Sequence, residues 1–165
     1  MLFRSYVSHM WNLKLINNTF ANNKATEMKA GAITANIGTL HREAVVLNCE
    51  FLQNFGRMKS GSFELKVSGS HNSFQPRVTI QNSRFIQNKG DKLATYDVIV
   101  NHSFLLISFC KFQNNSGGGI FLGVSSGSCD IRVENSLIRD NKKKKCLCVA
   151  GITAKRRGVR LAVSQ

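Results

Sequence analysis

The residues able to do acid–base chemistry are few in this 165-residue chain, which carries nine Asp and Glu against 23 Lys and Arg, with four His. Hydrolysis of a glycan needs two carboxyl groups flanking the scissile bond, about 5–9.5 Å apart. Glu43 and Asp130 occupy equivalent places in the sequence pattern, with Arg77 at the same place between them. Glu50, Arg84 and Lys111 form another equivalent set, which reads as a cross-strand charge ladder. Asp91 and Asp97 fall in a variable stretch and have no carboxylate counterpart at a matched position. His9, His41, His71 and His102 share no spacing that makes a metal set or a nucleophile relay. Ser116-Gly117-Gly118-Gly119 is followed by no Lys-Ser/Thr pair, so it reads as a turn and not as a phosphate loop.

The five cysteines give no framework either. Cys49 and Cys110 stand at equivalent positions two repeats apart, about 9.6 Å at the usual strand spacing, which is beyond disulfide reach. Cys146-Leu147-Cys148 lacks a His or further Cys nearby, and four ligands are what a structural zinc needs. No catalytic residue, metal site or cofactor is expected from these side chains.

What positions them is a nine-residue phrase: apolar, any, Asn, any, any, Phe, any, any, Asn. It runs Leu15–Asn23, Val46–Asn54, Ile80–Asn88, Ile107–Asn115 and Val133–Asn141, so its sixth position falls at 20, 51, 85, 112 and 138. A recurrence every 26–34 residues signals stacked supersecondary units. Superposing the copies gives a large apolar column of Phe20, Phe51, Phe85, Phe112 and Ile138. Before it stand Leu15, Val46, Ile80, Ile107 and Val133, and two residues earlier Leu13, Ala44, Val78, Leu105 and Ile131. The alternating positions are mixed, and a period of two with one apolar face is a half-buried strand. On this frame Glu43 and Asp130 lie three rungs apart, about 14 Å, too far to act on one bond.

Two asparagine columns mark the corners. Asn17, Asn48, Asn82 and Asn135 form the first, with Phe109 as the single departure, and Asn23, Asn54, Asn88, Asn115 and Asn141 form the second. Asparagine tolerates the left-handed backbone of a sharp bend, and its amide satisfies local polar groups; both columns are expected to do this and to hydrogen-bond between rungs. Short apolar strands follow at Gly31–Thr34, Gly61–Leu65, Tyr96–Val100 and Gly118–Leu122, and the variable stretches 55–60, 69–76 and 89–96 are expected to carry any recognition.

Phe20-Ala21-Asn22-Asn23 followed by Gly31-Ala32-Ile33 resembles the paired FxxN and GGAI signatures of polymorphic outer-membrane-protein repeats. The Ile80–Asn88 phrase is similar to the wider right-handed parallel β-helix family, whose fold pectate lyases share. The resemblance covers residues 11–141 and implies an all-β, right-handed single-stranded solenoid of about five coils. It also implies three short parallel strands per coil, asparagine ladders at the corners and a stacked core of Ile, Val and Phe.

Five rungs make a rod only about 25 Å long. Residues 1–10 contain neither a convincing strand pair nor a helix and read as an edge segment, so the stack has no evident cap. Uncapped parallel edges invite pairing, so the chain reads as a piece or shortened product of a longer β-helix. Its partners would then include neighbouring coils or a second copy at the open ends. Residues 142–165 hold eight of the basic residues behind the net charge of +14. They read equally as a basic tail or as a partial sixth coil, because Gly151-Ile152-Thr153-Ala154 echoes the strand at Gly31.

The charge is concentrated in that tail and the outward repeat positions hold few aromatics, which disfavours nucleic acid. No stretch approaches a transmembrane span. The expected function is a non-enzymatic extracellular or cell-surface scaffold or adhesion module, with carbohydrate or a cell-surface protein as partner. The alternative is a piece of a polysaccharide-binding or polysaccharide-cleaving, pectate-lyase-like protein; a truncated product without independent function ranks below both.

Overall fold

The computed structural model describes residues 5–10, 12–26, 30–38, 43–57, 60–69, 75–90, 96–116, 120–124, 129–142, 147–151 and 159–163. Among them are strands, numbered here in chain order, and no helix. One parallel sheet stacks β1 (Ser5–Met10), β5 (Ile33–Ile37), β9 (Phe63–Ser68), β13 (Tyr96–Asn101), β16 (Ile120–Val124) and β18 (Leu147–Gly151). A second ladder stacks β2 (Asn12–Ile16), β6 (Glu43–Leu47), β10 (Arg77–Gln81), β14 (Phe104–Ser108) and β17 (Asp130–Arg139), with β19 (Val159–Val163) pairing β17 beyond. The third holds β3 (Thr19–Ala21), β7 (Glu50–Leu52), β11 (Arg84–Ile86), β15 (Lys111–Gln113) and again β17. β17 runs unbroken through its corner and so joins the second and third ladders into one sheet.

A fourth, very short ladder adds to the three implied by the resemblance. It pairs β4 (Lys24–Ala25), β8 (Phe55–Gly56) and β12 (Lys89–Gly90), then continues through isolated bridges to Ser116 and Lys142. Two further differences concern the chain's ends. Ser5–Met10, within the segment read from sequence as an edge without a convincing strand pair, is a single strand pairing β5 at that sheet's margin. In the basic segment, Leu147 rather than Ile152 takes the register position next to Ile120, and Ile152 lies outside the described residues. The backbones of Val159 and Leu161 pair in register with Ile131 and Val133, so the alternation there belongs to a strand.

The inward columns pile up in register. Phe20, Phe51, Phe85 and Phe112 stack face to face with ring centroids 4.9, 4.7 and 4.6 Å apart, the pitch of neighbouring strands. Ile138 follows in the same register but is only partly buried. Val46, Ile80, Ile107 and Val133 are fully enclosed. Burial of each such side chain contributes about 1.5–3 kcal/mol relative to exposure. Gly31 explains the small residue of the GGAI element, since a methyl there would run into the carbonyl oxygen of Gly61 on the next rung.

The corners divide the work differently from the sequence expectation. Asn17, Asn48, Asn82 and Asn135 have φ of 54, 52, 49 and 47°, and Phe109 matches them at 53°. At the next corner the left-handed residue is the one before the second column: Asn22, Gln53, Gln87, Asn114 and Asp140, with φ of 52–57°. Asn23, Asn54, Asn88, Asn115 and Asn141 instead turn inward. The Nδ2 of each of the first four donates to the Oδ1 of the next rung, as in Asn23 to Asn54 at 2.8 Å and Asn54 to Asn88 at 3.0 Å. The same Oδ1 accepts the backbone N–H from below, and the amide's second hydrogen goes to a Phe carbonyl: Asn88 Nδ2 donates to Phe51 O at 2.8 Å. A buried polar column of this kind is tolerable because its members satisfy one another, the exception being Asn23 Oδ1 on the first rung, which is buried without a partner among the described residues.

Candidate functional site

The matched carboxylates of the second ladder are held apart. Register runs Asn12, Glu43, Arg77, Phe104, Asp130, so an arginine and an aromatic ring separate Glu43 from Asp130. Arg77 and Arg132 lie 5.4 and 5.5 Å from the Phe104 ring centroid. Arg132 also donates to Asp130 at 2.9 Å, and that hydrogen bond, with the charge behind it, lifts the guanidinium above its ordinary value. In the third ladder Glu50 pairs with Arg84 at 2.8 Å, and Lys111 is the next rung. These are short-range ion and ring contacts on a solvated face, where water and salt screen them.

One matched carboxylate pair escaped the sequence reading. Asp97 is not in a loop: it lies in β13 directly beside Glu64 of β9, with Thr34 of β5 on the other side. Glu64 is only 2% exposed, with Lys66 Nζ 3.5 Å from its Oε1, while the side chain of Asp97 lies outside the described residues. A carboxylate so enclosed, with an ammonium beside it, is poorly placed to meet a bond in an external polymer. Nothing in the sequence aligns these two acids, because the segments leading into β9 and β13 differ in length and composition.

The thiols are built into the wall. Cys49, Ser83, Cys110 and Ser136 form an inner ladder in which Ser83 Oγ accepts from Cys49 N–H and Ser136 Oγ from Cys110 N–H, both at 3.1 Å. Burial pushes the Cys110 thiol up to about 12 and raises Cys49 and Cys129 as well. Thiols held protonated in this way are weak nucleophiles and poor metal ligands. Among the described residues no three His, Cys, Asp or Glu converge as a metal set.

The fourth ladder gives an outward surface held in register at every rung. Each member follows directly on an inward asparagine, buried in the first four and half-buried at Asn141, giving Lys24, Phe55, Lys89, Ser116 and Lys142 in register. Their backbones are pinned rung to rung by N–H donations to the asparagine carbonyls: Phe55 to Asn23 at 2.8 Å, Lys89 to Asn54 at 2.7 Å, Ser116 to Asn88 at 2.9 Å and Lys142 to Asn115 at 2.8 Å. The three lysines are exposed, while Phe55 and Ser116 are half-buried. Lys24 and Lys89 Nζ sit 6.0 and 5.4 Å from the Phe55 centroid. The adjoining corner is an exposed row of Asn22, Gln53, Gln87, Asn114 and Asp140, where Gln53 Nε2 donates to Gln87 Oε1 at 3.0 Å. The sequence phrase stopped one residue short of this ladder. Its mixed residue types gave no column to notice.

Parallel ladders, stacked aromatics and inward asparagines agree with one comparison: the family model of the right-handed β-helix region matches residues 6–158. The chain belongs to the right-handed β-helix family. The match spans β1 through β18, so the edge strand and the first strand of the basic segment are both part of the β-helix. Searches of curated proteins and of solved structures found no match to this β-helix. Of the stretches expected to carry recognition, residues 55–56 and 89–90 are strands of the fourth ladder. Residues 58–59, 70–74 and 91–95 lie outside the described set.

Proposed function

We propose that this β-helix is a non-enzymatic, extracellular or cell-surface scaffold whose outward ladders form an adhesion-type binding surface for carbohydrate. The observation that supports this most is the Lys24–Phe55–Lys89–Ser116–Lys142 ladder, which holds exposed cations at a fixed pitch on a backbone bonded at every rung. Ligand groups meeting such a surface find it already ordered, so little entropy is lost on its side. The separation of Glu43 from Asp130 and the enclosure of Glu64 favour binding over cleavage.

A second reading, cleavage of an acidic polysaccharide, draws on a single observation, the register of Glu64 with Asp97. One pair of measurements separates the two. A carbohydrate array is expected to retain the protein, while incubation with polygalacturonate and calcium releases no product above a protein-free control. Turnover that disappears in Asp97→Asn would overturn the binding reading, and so would failure to bind any glycan on the array.

A further inference from the structure

Asparagine followed two residues later by Ser or Thr recurs as Asn17-Asn18-Thr19, Asn101-His102-Ser103 and Asn114-Asn115-Ser116. This pattern is the acceptor for N-linked glycan, a bulky group that a surface asparagine carries. An asparagine-rich chain produces the pattern by composition alone, so the surroundings of each copy decide.

The three copies meet different surroundings. Asn101 closes β13 and is half-buried, His102 after it is left-handed (φ 46°) and 7% exposed, and Ser103 is fully buried. The Ser103 hydroxyl donates to the carbonyl oxygen of Asn101 at 2.6 Å, so this copy is folded into the wall. Asn114 is exposed at its corner, but Asn115 is buried in the amide relay and Ser116 bridges Lys89 and Lys142. By contrast Asn17, Asn18 and Thr19 are all exposed. They lie at the bend between β2 and β3, which pair on one side only among the described residues.

The amide of Asn17 is also free where the reaction needs it. Its Oδ1 accepts from Asn48 Nδ2 at 3.1 Å, while its own Nδ2 donates to nothing among the described residues. A carboxamide substituted at nitrogen keeps its acceptor oxygen, so the bond from Asn48 survives. The donation of Asn17 N–H to Leu47 O at 3.0 Å is untouched as well. A glycan is therefore carried without loss of either hydrogen bond.

Resting on the extracellular or cell-surface location proposed above, we propose that Asn17 is an N-glycosylation site, the copy of the pattern that the folded chain leaves accessible. The co-reactant is a lipid-pyrophosphate-linked oligosaccharide. Asn17 Nδ2 attacks C1 of its first sugar; the N–C1 bond forms as the bond from C1 to the pyrophosphate oxygen breaks. One Nδ2 proton passes to a base of the transferase, and lipid pyrophosphate leaves. Thr19 supplies the hydroxyl by which the transferase holds the segment.

Two measurements on the full chain test this. First, the purified folded protein is incubated with a single-subunit oligosaccharyltransferase and its lipid-linked donor, beside peptides covering residues 12–24, 96–108 and 109–121. All three peptides are expected to be labelled, and the folded chain at Asn17 only. Asn17→Gln should lose that glycan in the intact mass, and so should Thr19→Ala, which leaves the Asn48 contact in place. Labelling of the first peptide without labelling of the folded chain would overturn the inference, as would equal labelling of all three sites in the folded chain. Second, the chain is produced in secreting eukaryotic cells behind a cleavable leader, and occupied asparagines are read as conversion to aspartate by a glycan-releasing amidase. Asn17 is expected to be occupied and Asn101 bare. Because the leader delivers the chain in any case, a bare Asn17 there would sink this assignment and leave the scaffold reading standing. Recovery of the chain from the cytosol of its own cells, with Asn17 bare, would sink both.

Discussion

Asn82 and Asn88 flank the same short strand, β11, and share a side chain but not an environment. Asn82 is exposed at a corner with φ of 49°. Asn88 is fully buried, its Oδ1 accepting from both the backbone N–H and Nδ2 of Asn54, and its own Nδ2 donating to Phe51 O and Asn115 Oδ1. At the exposed corner the requirement is a backbone conformation, which asparagine adopts at low cost but does not monopolise. Phe109 holds the same place at φ 53° while 60% exposed. In the buried column the requirement is an amide with a donor end and an acceptor end, and all five rungs supply one. One letter thus serves a torsion in one column and a hydrogen-bond relay in the other.

That contrast can be broken experimentally, most strongly at the buried column. Asn88→Ala removes the acceptor for two donors of Asn54 and the donor to Phe51 O. It should cost about 3 kcal/mol or more in urea unfolding, because buried groups are left unsatisfied; a loss below about 1 kcal/mol would mean that water enters the column freely. Asn82→Ala should cost about 1 kcal/mol, the penalty of a Cβ in the left-handed region, and Asn82→Gly close to none. If glycine is as damaging as alanine, the amide rather than the torsion matters there. Phe109→Asn should raise stability by about 0.5–1 kcal/mol by relieving the same strain, and a loss on calorimetry would assign the ring a packing role. Arg84→Ala, which removes a partly exposed pair with Glu50, should change the unfolding free energy by less than about 0.5 kcal/mol.

How far the sequence could be read follows from which side of the wall a residue faces. The Phe20–Ile138 column was visible because every member meets the same apolar interior, so each rung repeats the same kind of side chain. The second asparagine column was visible for a related reason, although its inward turn was not: letters cannot tell a buried amide from an exposed one at a bend. The ladder from Lys24 to Lys142 was missed because water accepts lysine, phenylalanine and serine alike at half-exposed positions. Glu64 and Asp97 were missed because variable segments separate their strands from the nearest phrase, and only hydrogen-bond register makes them neighbours. The strand at Ser5–Met10 owes its form to the waiting edge of β5.

The chain's letters alone determined a stacked, parallel, all-β solenoid, since inward packing repeats with each turn and leaves a periodic record. Tertiary structure decided which outward side chains meet: the alternation of cations along the fourth ladder, the ring between Arg77 and Arg132, and the burial of Glu64. Those adjacencies depend on strand pairing across loops of unequal length, a long-range geometric condition that no local window of sequence encodes.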